Sequence, residues 1–432
     1  MSHACAVETE LQPRVPQAPE SVADVGVRKV VLEDLALKIL CTGGPLSLRE
    51  LATRAHLRYS VVHELLVRLR AERLCEVTGM TGNIPHIAIT GSGRSRAVDL
   101  LALNQYVGPA PVSLESYVLQ VRQQGVHHLN VHAHHIHKAF SHLVLDPATL
   151  TKLGTALNSG SSIFLYGPTG TGKTAIATAL SHLFVDDGVW VPHALEIEGQ
   201  IIAVYDPHVH IRLSDSSSED DTSDPRWVLC RRPTVVVGGE LTMEMLELQF
   251  DPATKFYTAP GQMKANNGVL IIDDFGRQRL RPEELLNRWV VPLDRRIDFL
   301  TLAGGKKVEI PFELFVVFAT NVNPATLADA AFLRRIQTKI KVGNASRRQF
   351  HEIFRRVCHE SGLQCSPDLI DELIDIIQKQ LKEPLRACHP RDLVNQVQWA
   401  ARYERKEPRL DRESLMIALQ AYFVDSYEEN DN

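Results

Sequence analysis

The sequence predicts an α/β fold: a parallel sheet wrapped by helices, with one small unit before it and a helical unit after it. Three segments predict it. The first is a strand-like run, Ser162-Ile163-Phe164-Leu165-Tyr166, that leads into Gly167-Pro168-Thr169-Gly170-Thr171-Gly172-Lys173-Thr174 and then a helical stretch from Ala175 to Phe184. The second is Gly268-Val269-Leu270-Ile271-Ile272-Asp273-Asp274, and the third is Phe315-Val316-Val317-Phe318-Ala319-Thr320 followed by Asn321. Continuous apolar runs are the mark of strands buried on both faces. Acids and amides just past their C-terminal ends stand where open α/β sheets hold ligands.

The elements follow in order along 432 residues, enough for two or three domains. Residues 1–27 are polar and Pro-rich with no apolar centre, so a disordered tail is expected rather than a secretory signal. Residues 28–105 read as a winged-helix unit. Leu32 to Leu40 has helical spacing, Ser47 is expected to cap a helix from Leu48 to Ala55, and Ser60 to cap another reaching about Arg73. Cys75-Glu76-Val77 and His86-Ile87-Ala88-Ile89 then form a hairpin, and a further helix runs from Gly93 to Leu103. Gly108-Pro109-Ala110-Pro111 opens a linker and helical segment at 106–158. The α/β nucleotide-binding domain is expected over 159–345, interrupted by an acidic, low-complexity stretch at 214–224 that reads as a mobile loop. A helical lid over 346–425 and a tail at 426–432 complete the chain.

Composition narrows the function classes. A net charge of −5 rules out a surface that is one polyanion-binding field. No apolar run reaches the ~18–20 residues of a membrane span. Seven scattered cysteines without a Cys-x-x-Cys pair suit the reduced thiols of a cytoplasmic protein.

The chemistry concentrates in the glycine-rich loop. Glycines let the backbone curl so that several N–H groups face one anion, and the following helix points its positive end at the same place. Lys173 can reach the β- and γ-phosphates of ATP, and the Thr174 hydroxyl can coordinate Mg²⁺. Asp273 would hold the ion, directly or through water, and Asp274 would orient and deprotonate the attacking water. Asn321 could position that water; a capping role before Pro324 is the plainer alternative.

This ordered set resembles the AAA+ ATPases over about 140–425. Gly167 to Thr174 matches Walker A, Asp273-Asp274 matches Walker B, and Asn321 in Ala-Thr-Asn-Val-Asn-Pro matches sensor 1. Phe332-Leu333-Arg334-Arg335-Ile336 looks like the arginine-finger segment, with Arg335 the better match and Arg334 the second. His389-Pro390-Arg391-Asp392-Leu393 looks like sensor 2, which implies that Arg391 reaches the γ-phosphate. The stretch from Asp298 to Pro311 is similar to the pre-sensor hairpin of MoxR-type branches. A narrower resemblance, carried by residues 107–112, 231–242, 272–278 and 385–393, is to bacterial ATPases described as having chaperone activity and an association with Flp (tight-adherence) pilus assembly. The resemblance implies ATP hydrolysis, a ring of copies of this chain (a hexamer), and a protein client. Most of the superfamily carries Glu where Asp274 stands. The shorter side chain implies slow hydrolysis, or help from Glu240.

Other signals are weaker. Residues 28–103 hold eleven Lys/Arg against seven Asp/Glu, yet Ser60 to Val67 is mostly apolar and offers little to read bases. Protein docking is therefore the first reading of this unit, and DNA the second. The six histidines of 127–137 lack a Cys, Asp or Glu to complete a metal site, so a solvated or partner-facing helix is expected. Tyr257 before the second acid motif suits either a client-gripping loop or packing on the sheet.

Overall fold

The computed structural model describes residues 8–9, 15–160, 162–184, 187–213, 222–327 and 330–423. The tail at 426–432, most of the tail before residue 15 and positions 214–221 of the acidic stretch lie outside the described residues.

The first unit contains α1 (Lys29–Gly43), β1 (Leu46–Ser47), α2 (Leu48–Ala55), α3 (Tyr59–Ala71), β2 (Cys75–Thr81), β3 (Ile84–Ile89) and α4 (Gly91–Leu103). The three strands form one antiparallel sheet in the order β1-β3-β2. Ser47 caps α2 with a full capping box to Glu50, as its spacing predicts. Ser60 does not cap α3. The cap position is Arg58, and the Ser60 hydroxyl donates to the Glu20 carbonyl.

That last contact belongs to a larger departure. Residues 15–27, expected in a disordered tail, are packed, with Val22, Val25 and Val27 buried in the core of the first unit. Asp224, expected at the end of a solvated loop, is buried too. Arg226 grips it with Nε–Oδ1 at 3.0 Å and Nη2–Oδ2 at 2.7 Å. The remaining nitrogen, Nη1, donates to the carbonyls of Val25 and Pro111. A buried carboxylate is tolerable because it is paired and the leftover donors are satisfied. One arginine thereby ties the N-terminal segment, the linker and the α/β region together.

The α/β region begins with β4 (Ile163–Tyr166) and α5 (Lys173–Ala179). An inserted layer follows, with β5 (Gly188–Pro192), β6 (Ala194–Ile197), β7 (Gln200–Ala203) and β8 (Trp227–Arg231). The chain then returns to the main sheet with β9 (Thr234–Val237) and β10 (Val269–Ile272). It makes the hairpin β11 (Ile297–Thr301)–β12 (Lys307–Pro311), and finishes the sheet with β13 (Phe315–Thr320) and β14 (Thr338–Lys341). The main sheet is parallel throughout, in the order β9-β10-β13-β4-β14. This is the expected α/β class with a parallel sheet wrapped by helices: β10 and β13 are buried along their whole length, as their unbroken apolar runs require.

The β11–β12 hairpin turns through Gly304 and Gly305, both at positive φ. It packs rather than projects: Leu300, Leu302, Val308 and Ile310 share a core with the inserted layer. Tyr257 is buried in the same core, and its hydroxyl accepts the Ala303 N–H at 2.7 Å, so the packing reading of that residue holds. The first unit is tied to the inserted layer through Arg28–Glu196 at 2.9 Å, and to the segment between β9 and β10 through Gln105 N–H to the Thr254 carbonyl at 2.8 Å.

The last unit is helical: α6 (Arg347–Glu360), α7 (Pro367–Asp375), α8 (His389–Tyr403) and α9 (Arg412–Tyr422) around their own apolar core. Among the described residues, no helix is long and apolar enough to cross a membrane.

Candidate nucleotide site

The glycine-rich loop leaves the carboxyl end of β4 between two neighbours. On one side Val342 N–H donates to the Tyr166 carbonyl at 2.8 Å; on the other, Gly167 N–H donates to the Thr320 carbonyl at 3.3 Å. Gly167 has φ +147°, and a Cβ there would lie 2.1 Å from the Val342 carbonyl oxygen. Only glycine fits this entrance. Thr171 Oγ1 donates to the Pro168 carbonyl at 2.9 Å and holds the curl.

Lys173 is folded beneath the loop. Its Nζ donates to the carbonyls of Gly167 at 2.9 Å and Pro168 at 2.7 Å. Burial lowers its pKa, and the nearby Asp274 and Asp273 oppose that effect.

Register brings the other motifs to the same edge. Ile272 pairs with Phe318, and Thr320 with Tyr166, so the residues after β10, β13 and β4 emerge side by side. Thr174 Oγ1 donates to Asp273 Oδ2 at 2.9 Å, and Asn321 Nδ2 donates to Asp274 Oδ1 at 3.1 Å. Asp274 takes φ +49°, a left-handed turn that Asp tolerates better than most side chains. The structure thus gathers Lys173, Thr174, Asp273, Asp274 and Asn321. Glu240 lies past the end of β9; its Oε1 accepts the Gly238 N–H at 2.9 Å, which holds its pKa below the usual range.

The arginines stand elsewhere. Arg335 precedes β14 by three residues, and Thr338 pairs with Ile163 at the amino end of β4. It therefore belongs to the sheet edge opposite the loop, about 10–13 Å away by strand rise. Its Nε lies 2.8 Å from Asp294 Oδ2, and Arg334 beside it is exposed. Arg391, in the first turn of α8, has a 71% exposed side chain with Nε 3.9 Å from Asp392 Oδ1.

Two residues against the loop belong to the 385–393 stretch but lie outside its sensor 2 match, and no local pattern assigns them a role. Cys388 N–H donates to the Gly170 carbonyl at 3.1 Å. A Cβ on Gly170 would lie 2.6 Å from Cys388 Sγ and 3.3 Å from Arg386 Cδ. The helical unit therefore touches the phosphate-type loop through residues 386–388.

Comparison with known proteins adds little. A family model described as a domain of unknown function (DUF8689) matches residues 346–421, the helical unit. Curated proteins give no match. Solved structures with some likeness include NtrX from Brucella abortus (14% identity, TM-score 0.39, 63% of this chain and 55% of that one). Others are RuvB, the Holliday junction branch migration motor of Thermotoga maritima (14%, 0.37, 65% and 71%), and domain III of its replication initiation protein DnaA (13%, 0.37, 66% and 96%). The chain spans just over half the length of the Brucella protein.

Proposed function

We propose that this chain is an AAA+-type ATPase that works as a ring and converts ATP hydrolysis into remodelling of a protein client. The observation that carries the reading is the meeting of Thr174 with Asp273 and of Asn321 with Asp274, beside a complete phosphate-type loop.

The loop N–H groups and Lys173 would hold the phosphates, with Lys173 exchanging its two carbonyl partners for phosphate oxygens. Thr174 and Asp273 fit a Mg²⁺ ion: their oxygens are 2.9 Å apart, about the spacing of neighbouring octahedral ligands at 2.0–2.1 Å. Bound there, the ion would neutralise charge on the β- and γ-phosphates. Asp274 would take the proton of the attacking water, and the Asn321 amide, already bonded to that carboxylate, would orient the water beside it.

The placement of Arg335 supports the ring. A guanidinium at the edge opposite its own loop suits service to a neighbouring subunit's γ-phosphate, and an arginine finger of this kind contributes about 10³–10⁵ in rate. A hexamer is the ring size that the sequence resemblance suggests. Arg391 is the proposed γ-phosphate contact from the lid.

A protein client is preferred over DNA because several basic residues of the winged-helix unit are already paired with acids. Arg68 pairs with Glu33 and Glu72, Arg96 with Glu72 and Asp34, and Arg58 with Glu20. The outer face of α3 presents Tyr59, His63, Glu64 and Val67. Assembly of an Flp-type pilus is the client setting that the sequence resemblance suggests.

The test is steady-state ATPase activity against protein concentration for wild type, Lys173→Ala and Arg335→Ala. Specific activity that rises with concentration and is lost in both variants supports the reading. Hydrolysis by Arg335→Ala at the wild-type rate would remove the shared site. A wild-type protein that binds ATP with no turnover at any concentration would make it a nucleotide-gated switch.

A further inference from the structure

The lid meets the phosphate-type loop at residues 386–388, and that place holds an unused donor. Arg386 lies with its Cδ and Cβ against Gly170, 3.3 and 3.5 Å from where a Cβ would stand. Its Nη2 pairs with Glu383 Oε2 at 3.0 Å. Its Nε is buried and has no hydrogen-bond partner. An unmet charged donor in such a position is costly, and beside a phosphate-type loop a ligand oxygen is a group that would meet it.

The segment is also rigid. Cys388 N–H is bonded to the Gly170 carbonyl, and Ala345 N–H to the Leu385 carbonyl, on either side of Arg386. The Arg386 N–H itself donates to Nδ1 of His389 at 3.4 Å. His389 is fully buried, with Tyr422 and Phe423 packed edge-on against its ring. A side chain on so fixed a backbone loses little freedom when it takes a ligand.

We infer that Arg386 is a phosphate ligand of the bound nucleotide, a second lid arginine beside Arg391, with Nε–H directed to a phosphate oxygen above Gly170. This rests on the nucleotide reading of the loop. Glu383 holds the guanidinium through Nη2 and leaves Nε available to donate. The arrangement makes lid position sensitive to phosphate: residues 386–388 carry both the strut to Gly170 and the group that senses what the loop holds.

The test is equilibrium binding of ATP and ADP by calorimetry to the full chain, as wild type, Arg386→Ala, Arg386→Lys, Glu383→Gln and Lys173→Ala, with thermal midpoints alongside. Loss of one charge-assisted hydrogen bond should weaken ATP binding about 10- to 100-fold in Arg386→Ala. Arg386→Lys, which keeps the charge without the Nε donor, should fall between it and wild type. Glu383→Gln should stay within about threefold of wild type. One result would overturn the inference alone: Arg386→Ala binding ATP like wild type while Lys173→Ala does not. A wild-type chain that binds neither nucleotide would remove the site reading and this inference together.

Discussion

Replacing Gly167 by alanine should damage the fold as well as the site, and the structure says by how much. The new Cβ would stand 2.1 Å from the Val342 carbonyl oxygen, where ordinary contact begins near 3.4 Å. Val342 must therefore retreat by about an ångström. That movement pulls on the bond from Val342 N–H to Tyr166, which closes the β4–β14 edge. A lost backbone hydrogen bond costs about 0.5–1.5 kcal/mol. Holding a non-glycine residue at φ +147° adds about 1–3 kcal/mol. The expected destabilisation is about 3 kcal/mol, which lowers the thermal midpoint of the α/β region by roughly 6–12 °C.

Gly172→Ala is the control. Gly172 has φ +94° with nothing within 4 Å of an added Cβ, so only the backbone strain applies. Scanning calorimetry of both variants should place Gly167→Ala at least about 1 kcal/mol below Gly172→Ala, and ATP binding should fail in both. Equal midpoints would refute the argument, because they would mean that the β4–β14 edge yields without cost.

Arg226→Met should destabilise by about 3–5 kcal/mol, since it leaves Asp224 buried without its partner; pairing it with Asp224→Leu should recover most of that loss in urea midpoints. Acid should weaken the fold between pH 6.5 and 4. Burial holds His193 and His389 down to about 4, so the unfolded chain binds more protons than the folded one throughout that window and stability rises with pH across it, by up to about 1.4 kcal/mol per unit for each histidine. His193→Gln with His389→Gln should flatten the urea midpoint against pH, and an unchanged slope would place the titrating groups elsewhere.

What the sequence displayed, it displayed through local chemistry. The strands β10 and β13 are unbroken apolar runs, and the loop's glycines sit where positive φ recurs at 167, 170 and 172. Ser47 and Glu50 announce their own capping box. What it concealed depends on partners distant in the chain. Residues 15–27 look like a tail because their apolar content is sparse, but three valines suffice when the first unit offers them a core. Asp224 looks solvated within an acidic run, and only the fold brings Val25 and Pro111 to the other side of Arg226. Ser60 has a cap residue's chemistry two positions too late, because Arg58 already takes the extended backbone that starts α3. Arg386 lies in the 385–393 stretch but outside its sensor 2 match, and nothing local gives it a role, since its contact with Gly170 spans more than two hundred residues.

The second acid of Walker B tests how far resemblance can be pushed. Glu at position 274 would restore the commoner residue, and sequence logic alone expects faster hydrolysis. The geometry expects the reverse. Asp274 sits at φ +49° because the turn around it is fixed at several points. Its own N–H goes to Asp273 Oδ1 at 3.0 Å, Phe275 N–H to the Ala319 carbonyl at 2.7 Å, and Arg277 N–H to the Asp274 carbonyl at 2.9 Å. A longer side chain on that fixed backbone carries its carboxylate about 1.5 Å further out and past the Asn321 amide, now 3.1 Å from Oδ1. Glu also lacks the short local bonding that eases Asp into this conformation. Displacing a catalytic group by an ångström can cost 10²-fold, so Asp274→Glu should turn over at least about tenfold more slowly than wild type. ATP affinity should stay within twofold, because the phosphate loop, Thr174 and Asp273 are untouched. Single-turnover phosphate release measures the first quantity and calorimetry the second. A faster Asp274→Glu enzyme would show that the turn after β10 adjusts to its side chain, and Asp274 would then be a weakened copy of the commoner residue rather than the one this backbone fits.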